Sequence, residues 1–148
     1  MSNSYSSGGG TTTGRSPNQL LGMVFGVVYL LVGLVGFLVT NGVGFVARDG
    51  RALLGLFELN PLHNIVHLLV GALLLFGATR GPATAKAVNT LVGAVYLVVG
   101  ILGLFILQTG ANILALNGAD NVLHLASAAL LLGVGLTQDK ARTTSARY

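Results

Sequence analysis

Four long runs of apolar residues dominate the chain, and short polar loops separate them. They cover residues 20–40, 61–79, 88–109 and 119–136. A helix that crosses a hydrocarbon core of about 30 Å needs roughly 20 residues. A spanning segment must also satisfy its own backbone hydrogen bonds, which favours helices. The pattern therefore predicts an all-α integral membrane protein with four transmembrane helices.

The flanks of these runs are polar. Residues 1–19 are rich in Ser, Thr and Gly and contain a single Arg. Such a composition cannot bury a core, so it predicts a disordered tail. The apolar run that follows is too long for the hydrophobic region of a signal peptide. We expect a cytoplasmic tail at 1–19, a membrane domain at 20–137 and a second cytoplasmic tail at 138–148.

The amino-acid composition limits the classes of function that the protein can have. Of the 148 residues, 53% are hydrophobic and 8% are charged, whereas soluble domains carry roughly 25% charged residues. This composition argues against a soluble enzyme. The chain has no cysteine, so disulfides and thiolate metal sites are excluded. The sequence contains no G-x-S-x-G, P-loop or H-E-x-x-H motif, so it predicts no catalytic residue.

The net charge of the chain is +4, and its basic residues are divided unequally between the two predicted faces of the membrane. The two tails and the loop between the second and third helices carry six basic residues, and the first long loop carries two. The positive-inside rule then places both termini in the cytoplasm, with the helices in the plasma membrane. No basic or aromatic nucleic-acid motif accompanies these charges, so the expected partner is the lipid bilayer and not a nucleic acid. The two groups are Arg15, Arg80, Lys86, Lys140, Arg142 and Arg147, against Arg48 and Arg51.

The two halves of the chain repeat one pattern. The segment Gly26–Gly36 matches Gly93–Gly103, and Leu59–Leu68 matches Leu116–Leu125. Each half is one helical hairpin, so both hairpins enter the membrane in the same direction. The sequence predicts two parallel-repeat hairpins related by a pseudo-twofold axis along the membrane normal.

Glycines recur on one face of the first and third helices. Small residues allow close helix approach in membranes, where apolar burial contributes little to association. We therefore expect these faces to pack within the bundle. The alternative is a dimer seam with a second copy or another membrane protein. The residues are Gly26, Gly33, Gly36, Gly93, Gly100 and Gly103.

Polar residues cluster at the start of the second and fourth helices. Asn60 and Asn117 are predicted N-caps. His67 is about 9 Å into its helix at 1.5 Å per residue, and His124 is its counterpart in the second repeat. The candidate metal ligands are His63, His67, Asp120 and His124. The remaining members of this polar cluster are Asn64, Asn121, Tyr29 and Tyr96.

Three interpretations of this cluster remain open. The first is a structural or interaction role, in which Asn–His hydrogen bonds hold helices in register without a cofactor. The second is a bound divalent metal, or a haem held by His67 and His124. The third is proton or small-solute transport, because histidine titrates near neutrality. The first is the primary expectation, and an enzyme is the least favoured function. The apolar segment 52–58 is expected to be interfacial or re-entrant.

The motif N-P-L-H-N-I-V-H-L-L-V-G at 60–71, the L-G-L-F-E before it, and the echo D-N-V-L-H at 120–124 resemble a known family. It is an actinobacterial membrane family called domain of unknown function 4383. The resemblance covers about residues 20–137. It implies a four-helix integral membrane protein and brings no catalytic residue with it. Asp120 stands at the position of His63 in the second repeat, which breaks a symmetric four-histidine site.

Overall fold

The computed structural model describes residues 14–139 as four long helices and one small β-hairpin. All four helices are long and apolar enough to cross a membrane. This confirms the predicted all-α class with four spanning segments. Most of both predicted tails lies outside the described residues. The elements are α1 (Pro17–Val39), β1 (Arg51–Leu53), β2 (Phe57–Leu59), α2 (Pro61–Arg80), α3 (Pro82–Ile106) and α4 (Gly118–Thr137).

Two helices begin earlier than their apolar runs. Helix α1 begins at Pro17, after an N-cap at Ser16 whose hydroxyl accepts a hydrogen bond from the backbone of Gln19. The Gln19 side chain accepts one from the backbone of Ser16 in return. Helix α3 begins at Pro82 instead of residue 88. Caps and a proline in the first turn start helices in polar sequence, which an apolar run does not reveal.

A single residue, Gly81, connects α2 to α3. Its φ is 118° and its ψ is 172°, a conformation that residues with a Cβ rarely adopt. The chain therefore reverses between two spanning helices without a loop. We call this end of the bundle, which also holds Ser16 and Asp139, the tail end. The opposite end, which holds the strands, is the hairpin end.

Small and polar residues line much of the interior of the bundle, and large apolar residues cover its surface. The exposed fractions of Leu38, Phe105 and Val122 are 78%, 75% and 69%. This distribution suits a lipid environment, in which burying a large apolar side chain gains little. The buried face of α1 is instead a stripe of small and polar residues, namely Asn18, Gly22, Gly26, Tyr29, Gly33 and Gly36.

All six predicted glycine positions lie where two helices approach closely. A Cβ added to Gly33 would lie 2.8 Å from the Asn64 carbonyl oxygen of α2 and would also meet Leu68. Its counterpart Gly100 would meet Leu125 of α4 at 2.7 Å. The same correspondence holds for Gly26 with Leu75 and Gly93 with Leu132, and for Gly36 with Asn64 and Gly103 with Asn121. The glycines of α1 thus contact α2 in the same way that the glycines of α3 contact α4. The pseudo-twofold axis itself stays a prediction.

The segment expected to be interfacial or re-entrant forms the antiparallel hairpin β1–β2. Its register pairs Arg51 with Leu59 and Leu53 with Phe57. Leu54 and Gly55 both adopt positive φ, 55° and 71°, which matches the twist that tight hairpin turns require. A short apolar run does not by itself distinguish a strand from a buried helical segment. Here the turn with positive φ at Leu54 and Gly55 reverses the chain and lets the two short strands pair.

Candidate metal centre

The start of α2 is anchored by Asn60, as its role as an N-cap predicts. Its Oδ1 accepts a hydrogen bond from the backbone of His63 at 2.8 Å. Its Nδ2 donates to the carbonyl oxygens of Ala47 at 2.9 Å and Ile113 at 2.8 Å. One fully buried amide therefore ties both connecting loops of the hairpin end to the helix. This places His63 in the first turn of α2 and His67 one turn deeper on the same face.

The start of α4 has its own cap, and Asp120 belongs to it. Asn117 Oδ1 accepts a hydrogen bond from the backbone of Asp120 at 2.9 Å. The Asp120 carboxylate in turn accepts from the backbone N–H groups of Asn117 at 3.0 Å and Glu58 at 3.1 Å. Asp120 therefore links α4 to strand β2. His124 follows one turn deeper on α4.

Three histidines meet where these two helix starts converge. His63, His67 and His124 each offer one ring nitrogen, and these three atoms lie within 4.8 Å of one another. The three side chains are buried, with exposed fractions of 1%, 5% and 4%. Asp120, the fourth ligand expected from the sequence, is not brought into this group; its carboxylate is held by the cap and the hairpin.

Two tyrosines close the histidine group on its tail-end side. The Tyr29 ring stacks on His67 with centroids 5.4 Å apart, and the Tyr96 ring meets His124 at 5.1 Å. Tyr29 also donates a 2.9 Å hydrogen bond to Ser127 Oγ. Ser127 was not among the predicted site residues. The sequence signal that could have found it is its position three residues after His124, on the same face of α4.

The polar atoms of this layer are poorly satisfied by the described residues. Nδ1 of His63, Nδ1 of His67 and Nδ1 of His124 are buried without a hydrogen-bond partner there, and so is the Tyr96 hydroxyl. A buried polar group left unpaired costs about 1–3 kcal/mol. Three unpaired nitrogens in one small volume are therefore costly unless a ligand uses them.

The two asparagines lie apart from the histidine nitrogens. Asn64 donates a 2.9 Å hydrogen bond to Thr40 Oγ1, and its side chain packs where Gly36 leaves space. Asn121 packs against Gly103 in the same way, and its amide has no partner among residues 14–139. Both side chains thus fill the gaps between paired helices. In the described part of the chain they form no hydrogen bond to the histidines.

A haem does not fit this arrangement. The rings of His63 and His67 are in direct contact, with centroids 4.3 Å apart, and His63 lies 5.8 Å from His124. Tyr29 and Tyr96 pack against the remaining faces. Bis-histidine ligation needs a flat gap between facing helices for the macrocycle. The residues that would line such a gap instead touch one another.

Comparison with known proteins identifies the family. The chain belongs to the family described as Domain of unknown function (DUF4383), whose model matches residues 19–137. This match confirms the resemblance inferred from the repeated N-x-x-H motif. Neither a curated protein nor a solved structure matches the chain.

Proposed function

We propose that this multi-pass membrane protein binds a transition-metal ion inside its bundle, with His63, His67 and His124 as ligands. The observation that carries the proposal is the convergence of three buried ring nitrogens to within 4.8 Å. Metal–imidazole bonds are about 2.0–2.1 Å long, which places ligand nitrogens roughly 3.5 Å apart. Modest rotation of the side chains closes the difference. Imidazole suits zinc, copper, iron and nickel.

The proposal also explains the chemistry of the layer. A bound metal ion would engage one ring nitrogen of each histidine, in a layer where the three Nδ1 atoms lack partners among the described residues. The caps at Asn60 and Asn117 fix the starts of the helices that carry the ligands. Ligands held by rigid elements bind more tightly, because less freedom is lost on binding.

A transport role is less well supported. A buried apolar cluster lies against the two tyrosines and includes Leu74, Val92, Ala128 and Leu131. These side chains have exposed fractions of 4% or less. A proton or solute that reached the histidines would meet closely packed hydrocarbon next, and polar pathways through membranes are lined by polar or ionisable groups.

A structural role remains the second candidate, and one observation favours it. The bond from Tyr29 to Ser127 links α1 to α4, which share few other contacts. Interhelical hydrogen bonds of this kind contribute about 0.6–2 kcal/mol in membranes. A purely structural layer, however, gives no reason for three histidine nitrogens without partners.

The orientation proposal follows the charges. Arg15, Arg80 and Lys86 lie at the tail end, whereas Arg48 and Arg51 lie at the hairpin end. Together with the basic residues beyond 139, they favour a cytoplasmic tail end. The histidine layer would then lie in the outer half of the plasma membrane. Protease access to the termini in sealed, right-side-out vesicles tests this, because cleavage from outside would contradict it.

Metal content is the direct test of the site. We expect the full chain, purified without chelators and titrated with Zn²⁺, Co²⁺ or Cu⁺, to bind about one ion per molecule. His67→Gln and His124→Gln should each weaken binding at least about tenfold. Asp49→Asn is the matched control, because the Asp49 side chain is 91% exposed at the hairpin end. Failure of all three ions to bind the wild-type chain would overturn the proposal.

A further inference from the structure

The charge balance of the histidine group determines which ion it holds. We infer that the site selects monovalent copper, Cu⁺, over divalent ions such as Zn²⁺. This inference rests on the proposed metal site and specifies its ligand. It follows from the charge of the ligands, from the helix ends that face them and from the number of ligands.

None of the ligands in the site carries a negative charge. Neutral imidazoles are its ligands, and the chain contains no cysteine. Asp120 is the acidic residue closest in sequence, but two backbone N–H groups hold its carboxylate. Glu58 lies at the hairpin end, where it lines a polar pocket of about 180 Å³ with Arg48 and Asp49. The ligands themselves would therefore neutralise none of the charge of a bound metal ion.

Burying that charge costs desolvation free energy, and this cost grows steeply with the valence of the ion. The desolvation cost of an ion scales with the square of its charge, so it is about four times larger for a divalent ion than for a monovalent ion of similar size. All three ligands are buried, in helices whose outer surfaces are apolar. The environment therefore penalises Zn²⁺ far more than Cu⁺.

The surrounding helices add to the penalty. Helices α2 and α4 begin at Pro61 and Gly118, and the three histidines lie within the first two turns of these helices. A helix N-terminus carries a partial positive charge of roughly half an elementary charge. The repulsion between this partial charge and a bound cation increases in proportion to the charge of the cation. The Asp120 carboxylate offsets only the end of α4 to which it belongs.

Ligand number points the same way. Zinc sites are almost always four-coordinate, and a three-histidine zinc ion completes its shell with water or hydroxide. Here aromatic rings stand beside the group, with Tyr29 against His67 and Tyr96 against His124. Imidazole is a suitable ligand for copper, and Cu⁺, a d10 ion, forms stable three-coordinate complexes. Three histidines therefore suffice for Cu⁺, whereas Zn²⁺ needs a fourth ligand that the histidines do not supply.

The selectivity can be measured by competition. The full chain in lipid nanodiscs, under anaerobic conditions with ascorbate, is titrated with Cu⁺ against a colorimetric Cu⁺ chelator. A parallel sample is titrated with Zn²⁺ against a zinc chelator. We expect the Kd for Cu⁺ to be lower than that for Zn²⁺ by at least about 100-fold, or two tenfold steps.

Introducing a charge tests the cause. Ser127 lies beside His67 on the wall of one cavity. Ser127→Asp adds a carboxylate there, and Ser127→Asn is the neutral control of the same shape. We expect Ser127→Asp to reduce the preference for Cu⁺ at least about tenfold relative to Ser127→Asn, because a nearby anion favours the more highly charged ion. Both variants must first elute as monodisperse protein; if they do not, the wild-type competition decides alone.

The outcomes separate the two proposals. Tight Cu⁺ binding with weak Zn²⁺ binding supports both the site and the selectivity. Zn²⁺ binding equal to or tighter than Cu⁺ binding leaves the site standing and overturns the selectivity. Binding of neither ion removes the metal site, and the selectivity falls with it. Equal Cu⁺ preference in Ser127→Asp and Ser127→Asn would overturn the electrostatic explanation.

Discussion

Tyr29 and Tyr96 meet edge to face at the centre of the bundle, with ring centroids 5.4 Å apart and planes at 84°. They occupy equivalent positions in the two sequence repeats, and each also contacts a histidine of the hairpin-end layer. Edge-to-face aromatic pairs contribute about 0.5–1.5 kcal/mol beyond burial. The two rings therefore separate the polar histidine layer from the apolar cluster toward the tail end.

Replacing one histidine by an apolar residue distinguishes a metal site from a structural layer. In metal-free protein, His124→Leu removes a buried ring nitrogen that has no hydrogen-bond partner among the described residues. Removing such an unsatisfied group should stabilise the fold by about 1 kcal/mol or more. We expect the melting temperature in detergent to stay equal or rise, whereas the stabilisation by added metal disappears. A fall of several degrees in the metal-free variant would favour the structural role.

Close helix contact makes Gly33 sensitive to an added methyl group. A Cβ there would lie 2.8 Å from the carbonyl oxygen of Asn64, which is backbone and cannot move aside. We expect Gly33→Ala to destabilise the protein by about 1–3 kcal/mol and to weaken metal binding, because it displaces the helix that carries two ligands. Thermal unfolding and metal titration measure both effects.

Gly133→Ala is the matched control for that substitution. A Cβ on Gly133 meets nothing within 4 Å, although it also lies within a spanning helix. Alanine favours helices over glycine by up to about 1 kcal/mol, so this variant should be neutral or stabilised. Equal destabilisation by the two substitutions would show that helix contact is not what Gly33 provides.

A hydrogen-bonded amide pair secures the tail end. Asn89 Nδ2 donates to the carbonyl oxygen of Asn18 at 2.9 Å and to its Oδ1 at 3.0 Å. Both residues are fully buried. We expect Asn89→Ala to lower the free energy of unfolding by about 1–2 kcal/mol, because it removes bonds between α1 and α3. Asn41→Ala, in the exposed loop after α1, is the control and should have no effect.

Stability should also depend on pH through Asp139, which follows α4. Partial desolvation raises the pKa of Asp139, but hydrogen bonds from Ser16 and Asn18 and the charge of Lys86 together hold it below its ordinary value. A depressed carboxyl pKa stabilises the fold above the ordinary pKa of about 3.9, and this stabilisation is lost as the pH falls through the folded-state pKa.

The effect should be small, because Asp139 lies at the surface of the protein and solvent screens its interactions to less than about 1 kcal/mol. Asp139→Asn should lower the melting temperature slightly at about pH 6, and this difference should vanish once the pH has fallen below the depressed folded-state pKa, where the wild-type carboxyl is protonated. The difference between wild type and variant, measured across that range, is the readout. A difference that persists at acidic pH would contradict the assignment.

The sequence alone was sufficient for the four helices and for the faces along which they pack. Apolar runs of spanning length leave few alternatives in lipid. The recurrence of Gly26 and Gly33 at Gly93 and Gly100 marked the positions where a side chain would collide. Asn60 and Asn117 were recognisable as caps because local hydrogen bonds determine where a helix starts.

Only the tertiary structure decided which polar residues meet. His63, His67 and His124 come from helices far apart in the chain, so their convergence depends on how α2 and α4 pack. Asp120 has the right spacing from His124, but a hairpin that the apolar pattern concealed takes up its carboxylate. Periodicity describes one element at a time, whereas a site is a relationship between elements, and the packing of glycines against neighbouring helices sets that relationship.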